Sequence, residues 1–351
     1  MKKLYTVIIC VAALAGMQKA NAQSGFDQLI KSSPADATKL IGAYAEPLFR
    51  GFGTGLNSGW NNTAKTKKLL HFDLRLTGSV AFVPTADQSF DVRAIGLSNH
   101  LTPDVTSPTT IAPTFGGDKS AALPIMDINN DAGTKISSFT MPKAILSVIP
   151  APSIQLTVGL IASTDLTIRT IPTISLGSDV GSVGMFGFGV KHNFMGGGAA
   201  KVVPFDLALA FNYNRITYTK PLSVAPPSGN TPAPGSSTDF SNQHIDAAFS
   251  GINVQAIISK KLLFFTPFLS IGYQTASTNL SVLGNYPINS TNPLAPTTYV
   301  TVTDPVSISE TSVTGMRADL GFQLDLAFFK IYASGSTGKY ASINGGIGFG
   351  F

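Results

Sequence analysis

The 351-residue sequence is 44% hydrophobic and 12% charged, with a mean hydropathy of +0.23 and 34 glycines. Its charged share is about half that of an ordinary soluble domain, and its formal charge of +5 is not gathered into any basic cluster denser than Lys65, Lys67 and Lys68, which excludes a nucleic-acid footprint. Cys10 is the single cysteine, so a processed chain that lacks it has no disulfide, no thiolate metal centre and no cysteine nucleophile.

Residues 1–22 read as a secretory leader. Lys2 and Lys3 precede an apolar run from Leu4 to Gly16, and Ala20-Asn21-Ala22 is a small-residue cleavage site. The leader holds three lysines and no acid, so twenty-one bases face nineteen acids in the remainder, a formal +2. No later run of eighteen apolar residues reads as a transmembrane helix; the best stretch, Ala144 to Ala162, is interrupted by Pro150 and Pro152. A chain so poor in charge still suits a membrane if its strands alternate and close into a barrel.

A helix is expected next. Ser33 is a candidate N-cap with Pro34 at the first helical position, apolar residues recur at Ala37, Leu40, Ile41 and Tyr44, and Glu46-Pro47 is a plausible stop. Gly51-Phe52-Gly53-Thr54-Gly55 and Ser58 to Thr63 then read as an irregular loop. Following no strand and opening no helix, the glycines do not make a phosphate cradle. The segment 23–70 reads as a plug packed inside a barrel. Phe26 to Trp60 form its body, and Leu40, Ile41, Tyr44, Leu48 and Phe52 are candidate lining for an apolar ligand pocket.

From His71 the period becomes two: Phe72, Leu74, Leu76, Gly78, Val80 and Phe82 oppose His71, Asp73, Arg75, Thr77 and Ser79. A weaker strand is expected at Phe90 to Leu97 and a further one within Lys135 to Val148. Between them, 99–143 is a long Pro/Thr/Asp/Asn stretch. There Asp127, Asn129 and Asp131 have the spacing of a calcium loop, but Ala132 and Ser138 stand where an EF-hand needs Gly and Glu. Short strands follow at Ile154 to Leu160, Leu166 to Ile168, Gly181 to Asn193 and Phe205 to Tyr213. Ile245 to Ile258 has an apolar phase that switches near Gly251-Ile252, which predicts a bulge, and Pro267 predicts another in the strand through Tyr273. Met316 to Leu326, Phe329 to Ser336 and Tyr340 to Phe351 complete the series. Long connections at 221–240 and 281–310 alternate with tight ones near 162, 260 and 328. The fold class this predicts is all-β: a transmembrane antiparallel barrel of about 12–14 strands over 71–351, with a short N-terminal helical plug.

The final strand ends on Phe349 and Phe351, and resembles the closing strand of bacterial outer-membrane barrels, whose terminal aromatics the barrel assembly machinery reads. Leader, helix-and-loop plug and closing phenylalanine together are similar to the long-chain fatty-acid transporter family. The chain also looks like uncharacterised Bacteroidetes-type barrel proteins, in which a segment like Gly51 to Lys68 precedes the first strand and one like Thr140-Met141-Pro142-Lys143 follows the first long loop. Trp60-Asn61-Asn62-Thr63 stands where the transporters carry an N-P-A signature. The resemblance implies a bacterial outer-membrane location, contact with outer-membrane lipids and a small hydrophobic ligand.

Candidate chemistry is sparse. His71, His100, His192 and His244 have no zinc spacing, no G-x-S-x-G elbow is present, and a triad built from His192 or His244 with one of many serines has no sequence signal, so neither catalysis nor a cofactor is expected. Asp73, Arg75, Asp165, Arg169, Asp206, Arg317, Asp319 and Asp325 fall on polar strand faces and are expected in the lumen, holding the plug by ion pairs. The function expected is passive uptake of small hydrophobic molecules through an apolar pocket, with release through a gap made by bulges and plug movement. The alternative is a non-transporting barrel that anchors surface or secreted partners by its long loops.

Overall fold

The computed structural model describes residues 29–30, 32–177, 180–195, 204–226, 228–295 and 297–350. The expected leader, Phe26 and Phe351 lie outside them. Ten strands close a barrel: β1 (Phe72–Phe82), β2 (Val148–Gly159), β3 (Thr164–Ser175), β4 (Ser182–Asn193), β5 (Asp206–Pro221), β6 (His244–Ser259), β7 (Phe265–Leu283), β8 (Val306–Leu326), β9 (Phe329–Thr337) and β10 (Ser342–Gly350). Every strand pairs antiparallel with its neighbours in sequence, and β1 closes the ring on β10 from Asp73–Gly350 to Ala81–Ser342.

The count is ten where about 12–14 was expected. Phe90–Leu97 and the Lys135–Val148 region supply no wall strand. Only Ser89–Asp91 and Lys135–Thr140 are extended there, and they pair with other pieces of the same loop. Neither carries a continuous apolar face: Asp91, Arg93 and Gly96 interrupt the first, and Lys135, Ser137 and Ser138 the second. A lipid-facing strand needs that face.

Period two sorts the side chains. Leu74 and Phe82 on β1, Phe186 and Phe188 on β4, Ile271 on β7, Leu320 on β8 and Ile347 on β10 are exposed on the outside, where they form an apolar belt. Asp73, Arg75, Thr77 and Ser79 are buried in the lumen. An outward apolar belt on a closed barrel leaves no backbone edge in hydrocarbon, and the protein resides in the bacterial outer membrane. Phe349 packs in that belt against Phe72, Phe328 and Phe329.

The connections 160–163, 260–264 and 327–328 lie at the end where β1 begins, as do Asn193 at the close of β4 and Asp206 at the start of β5. The loops 83–147, 176–181, 222–243, 284–305 and 338–341 lie at the other. Three loops carry sheets of their own, one from Leu101–Pro103, Ile125–Asn129 and Lys135–Thr140, another from Thr231–Pro232, Asn285–Asn289 and Thr298–Thr303. The calcium-like stretch is a hairpin of the first sheet: Asn130 Oδ1 accepts from the Ala132 and Thr134 amides. Lys135 pairs with Asp104 and Asp127 and holds the Asp104 carboxyl well below the usual carboxylate range.

Helix α1 (Pro34–Leu56) runs inside the barrel. Ser33 caps it, accepting from the Asp36 amide, and Pro34 stands in its first turn. It does not stop at Pro47 but continues through Gly51, Gly53 and Gly55. A proline inside a helix costs about 3 kcal/mol and each glycine about 1, so propensity alone ends it early. Confinement in the lumen overrides that preference. At about 1.5 Å per residue the helix is long enough to cross the hydrocarbon core.

Its direction is set by its partners. Asp36 accepts from Ser98, Lys39 donates to the Gly96 carbonyl and the Tyr44 hydroxyl to the Lys143 carbonyl, all in loop 83–147. Farther on, Ala64 donates to Ser259 and Lys67 to Asp165, beside the short turns. The chain therefore enters the lumen from the long-loop end and leaves at the other before β1 begins. Because a cysteine-free processed chain is expected, single cysteines report this directly. Ala35→Cys should react with a membrane-impermeant maleimide on intact cells, and Lys260→Cys only after the outer membrane is breached. The reverse pattern would contradict the threading.

Candidate functional site

The lumen has two halves of opposite character. In the turn half it is polar and filled. Asp73 lies within 3.3 Å of Lys67, Arg75 and Lys330 and accepts from the Tyr332 hydroxyl. Lys191 pairs with Asp165 at 3.1 Å and donates to the Thr63 and Lys65 carbonyls. Arg317 pairs with Asp319 at 2.7 Å and reaches Ser58. Arg169, 1% exposed, has no acidic partner among the described residues. It donates to the carbonyls of Leu56 and Ser58 at the end of α1 and to Gln155, and its guanidinium lies 3.9 Å from the Trp60 ring centroid. A cation there meets the negative end of the helix.

Six of the eight charged residues expected in the lumen are thus buried together around the descending chain. Asp206 and Asp325 are not: they sit at the turn-end rim, where Asp206 accepts from Asn193 and Asp325 pairs with Lys261. His192 bonds Thr164, and His244 lies beside Asp246.

In the loop half the lumen is apolar. On β6 the inward residues Ile245, Ala247 and Phe249 are buried, while farther down the inward residues are Asn253 and Gln255. The phase switch near Gly251 is therefore not a bulge, since β6 pairs with β5 and β7 without a register shift. The strand keeps its period. Above Gly251 the apolar face is the inner one, below it the outer one. Inward Ile216 and Tyr218 on β5 repeat the switch. The bulges lie elsewhere, between Ile171 and Ile174 on β3, and on β8 at Ser312, which is skipped where β8 pairs with Ala276 and Ser277 of β7. Pro267 keeps register because its missing N–H falls on the last rung before the 260–264 turn.

Between this apolar wall and α1 lies a cavity of about 400 Å³. The helix contributes Tyr44, Ala45, Leu48 and Phe52. The wall contributes Ile171, Met185, Ile216 and Phe249 among others, and Phe115, Pro142 and Ile145 of the first loop cover it. Of the five expected lining residues, Tyr44, Leu48 and Phe52 face the cavity. Leu40 and Ile41 do not line it; they are fully buried in the apolar core that also includes Leu101, Met126 and Phe139 of the first loop. The Tyr44 and Tyr218 hydroxyls are both committed, to the carbonyls of Lys143 and Val180. Lys220 is the one charged residue on the lining among the described residues.

The cavity reaches a seam in the wall. The rungs joining β2 to β3 end at Ile154–Thr170. Beyond them β2 continues to Val148 on β1 alone and β3 to Ser175 on β4 alone. Ala151 and Pro152 from one edge and Ile171 from the other line the cavity. Pro152 belongs to the outward phase of β2, so the cavity extends between the two strands. The wall residues of this site were missed in the sequence. The signals that would have found them are the phase switch at Gly251 and the prolines Pro150, Pro152 and Pro172.

No curated protein is similar in sequence. Among solved structures, the attachment invasion locus protein Ail of Yersinia pestis is 11% identical, covering 80% of this chain and 97% of its own, with a TM-score of 0.27. The outer membrane protease OmpT of Escherichia coli is 9% identical, covering 84% and 100%, with a TM-score of 0.32. The translocator domain of the autotransporter NalP of Neisseria meningitidis is 9% identical, covering 90% and 97%, with a TM-score of 0.28. Likenesses at this level carry nothing about activity. A family model, by contrast, matches residues 1–351, and the chain belongs to that family, a family of unknown function (DUF6588).

Proposed function

We propose that the protein takes small hydrophobic molecules into the apolar cavity between its threaded helix and its wall, and exchanges them with the membrane through the β2–β3 seam. The observation that carries this reading is the cavity itself. An unfilled space of about 400 Å³ lined by aliphatic and aromatic side chains stands against the close packing of an ordinary interior. The filled polar half below it leaves no straight path down the lumen, so exchange is lateral and passive.

The test is binding of N-phenyl-1-naphthylamine by the full-length protein in mild detergent. Fluorescence should rise saturably for the wild type. Ala247→Trp, which fills the cavity from a buried wall position, should weaken binding by about tenfold or more. Equal binding by both proteins would place the probe elsewhere and sink the reading. The folded cap of loop sheets favours a second reading, a non-transporting anchor for surface or secreted partners, which is the one left if no probe binds.

A further inference from the structure

The one basic cluster of the sequence, Lys65, Lys67 and Lys68, comes down at the turn end of the lumen, the periplasmic side of a bacterial barrel. The descending chain is pinned there. The Lys67 amide donates to Asp165, Lys191 donates to the Lys65 carbonyl, and the His71 amide donates to the Lys68 carbonyl. The three lysines line a groove of about 310 Å³ together with Lys261 of the 260–264 turn, Gln323 and Asp325 of β8, and Lys330 of β9. Five ammoniums thus share one groove, and Asp325 is the one carboxylate on its lining among the described residues. Two of the five are not ordinary surface charges. The Lys67 and Lys330 side chains are 11% and 14% exposed, and both reach the same Asp73 Oδ2 at 3.3 Å, which Arg75 also holds at 3.0 Å. One carboxylate does not neutralise three cations, and charge so little exposed is weakly screened by salt.

The lining also carries an acceptor. Gln323 is 6% exposed; its amide nitrogen donates to Asp325, whereas its Oε1 has no partner among the described residues. A buried acceptor left without a donor is unfavourable. An occupant that answers both features is an anion with an O–H group close to its charge. Each ammonium offers three N–H donors on a point charge, which suits phosphate oxygens. We propose that the turn-end mouth binds a phosphate group with a hydroxyl beside it, as in a glycerol phosphate. The lysines hold the phosphate oxygens, and the hydroxyl donates to Gln323. Bound there, the phosphate joins Lys65, Lys67 and Lys68 of the descending chain to Lys261 and Lys330 of the wall, and so fastens the plug. The site lies at the opposite end of the lumen from the apolar cavity and does not depend on it.

The experiment titrates the full-length protein in a neutral detergent, at constant ionic strength, and follows the heat of binding. Glycerol 3-phosphate stands for a free phosphate ester and a short-chain phosphatidylglycerol for a lipid headgroup. Glycerol 3-phosphate should bind saturably and raise the thermal midpoint, because a ligand that joins plug to wall favours the folded state. Sulfate, which has no O–H, should bind about fivefold more weakly. Lys68→Gln combined with Lys261→Gln changes two exposed side chains and should weaken binding by about tenfold or more. Lys119→Gln, in the first loop, should leave it unchanged. Lys65→Gln gives the same readout if the double variant does not fold, as judged by its mobility on unheated gels. Binding of phosphatidylglycerol alone, lost in the lysine variants, supports the same phosphate contacts and assigns them to a lipid headgroup. Binding of neither phosphate, equal binding of sulfate, or an affinity that survives in the lysine variants overturns the site.

Discussion

Gly55→Leu will unseat the helix and open the lumen. A Cβ on Gly55 lies 2.6 Å from the Ala151 Cβ, one on Gly53 lies 2.7 Å from the Ala276 Cβ, and one on Gly51 lies 2.3 Å from Ile149. Real Cβ atoms do not approach that closely. Ala151 offers no flexible side chain to move aside, because its Cβ is rooted in β2 between β1 and the seam. The ordinary gain from replacing a helical glycine, about 1 kcal/mol, is outweighed by overpacking that begins at 1–3 kcal/mol and rises where nothing can yield. The helix does not bend around the obstacle, since its C-terminal end is held by Arg169 and Arg317 from opposite sides of the wall. The relief available is withdrawal of the plug, which leaves a lumen lined by Asp73, Arg75, Arg169 and Arg317 open to water. In planar bilayers the wild type should carry no steady current and Gly55→Leu should conduct. A variant that folds, by its unheated gel mobility, yet stays closed would show that the helix is not fitted to the wall through its glycines.

The second large effect belongs to Arg169. Its guanidinium donates to two carbonyls at the helix end, at 3.2 and 3.1 Å, and to Gln155 at 3.1 Å, while stacking on Trp60. Hydrogen bonds to a charged group are each worth about 1.5–3 kcal/mol net, and a desolvated cation–π contact adds about 2. Against this stands the cost of burying an arginine that no carboxylate among the described residues neutralises. In Arg169→Met that cost disappears, but the Ser58 carbonyl loses this donor and the Leu56 carbonyl keeps only the Trp60 indole N–H. The balance is a loss of about 3 kcal/mol, read as a lower denaturation midpoint in detergent. Arg169→Lys should recover only part of it, because an ammonium is a point donor and cannot fork to Leu56, Ser58 and Gln155 at once. An unchanged midpoint in Arg169→Met would mean that the helix end is held without this residue.

Much of the architecture was legible residue by residue. The alternation of Phe72, Leu74 and Leu76 with Asp73, Arg75 and Thr77 names a strand and both its faces, and Ser33-Pro34 names the helix start. These signals are local, so they survive without knowledge of the partner. The misreadings have the opposite cause. Pro47 and the glycines after it look like the end of a helix until a narrow lumen surrounds them. Phe90 to Leu97 looks like a wall strand until the wall is seen to close without it. The switch at Gly251 looks like a bulge because an apolar residue was assumed to face lipid. In the loop half of β5 and β6 it faces a cavity and a helix instead.

By itself, then, the sequence determined the membrane class, the two-faced strands and the presence of an internal helix, because side-chain period, charge and capping act over a few residues. Only the tertiary structure decided that ten strands close the ring, that the helix threads it from the long-loop end, and that Ile216, Met185 and Phe249 meet Leu48 and Phe52 around an empty space. Each of these depends on which faces come together from distant parts of the chain, and the closure of the barrel, not any local preference, sets that.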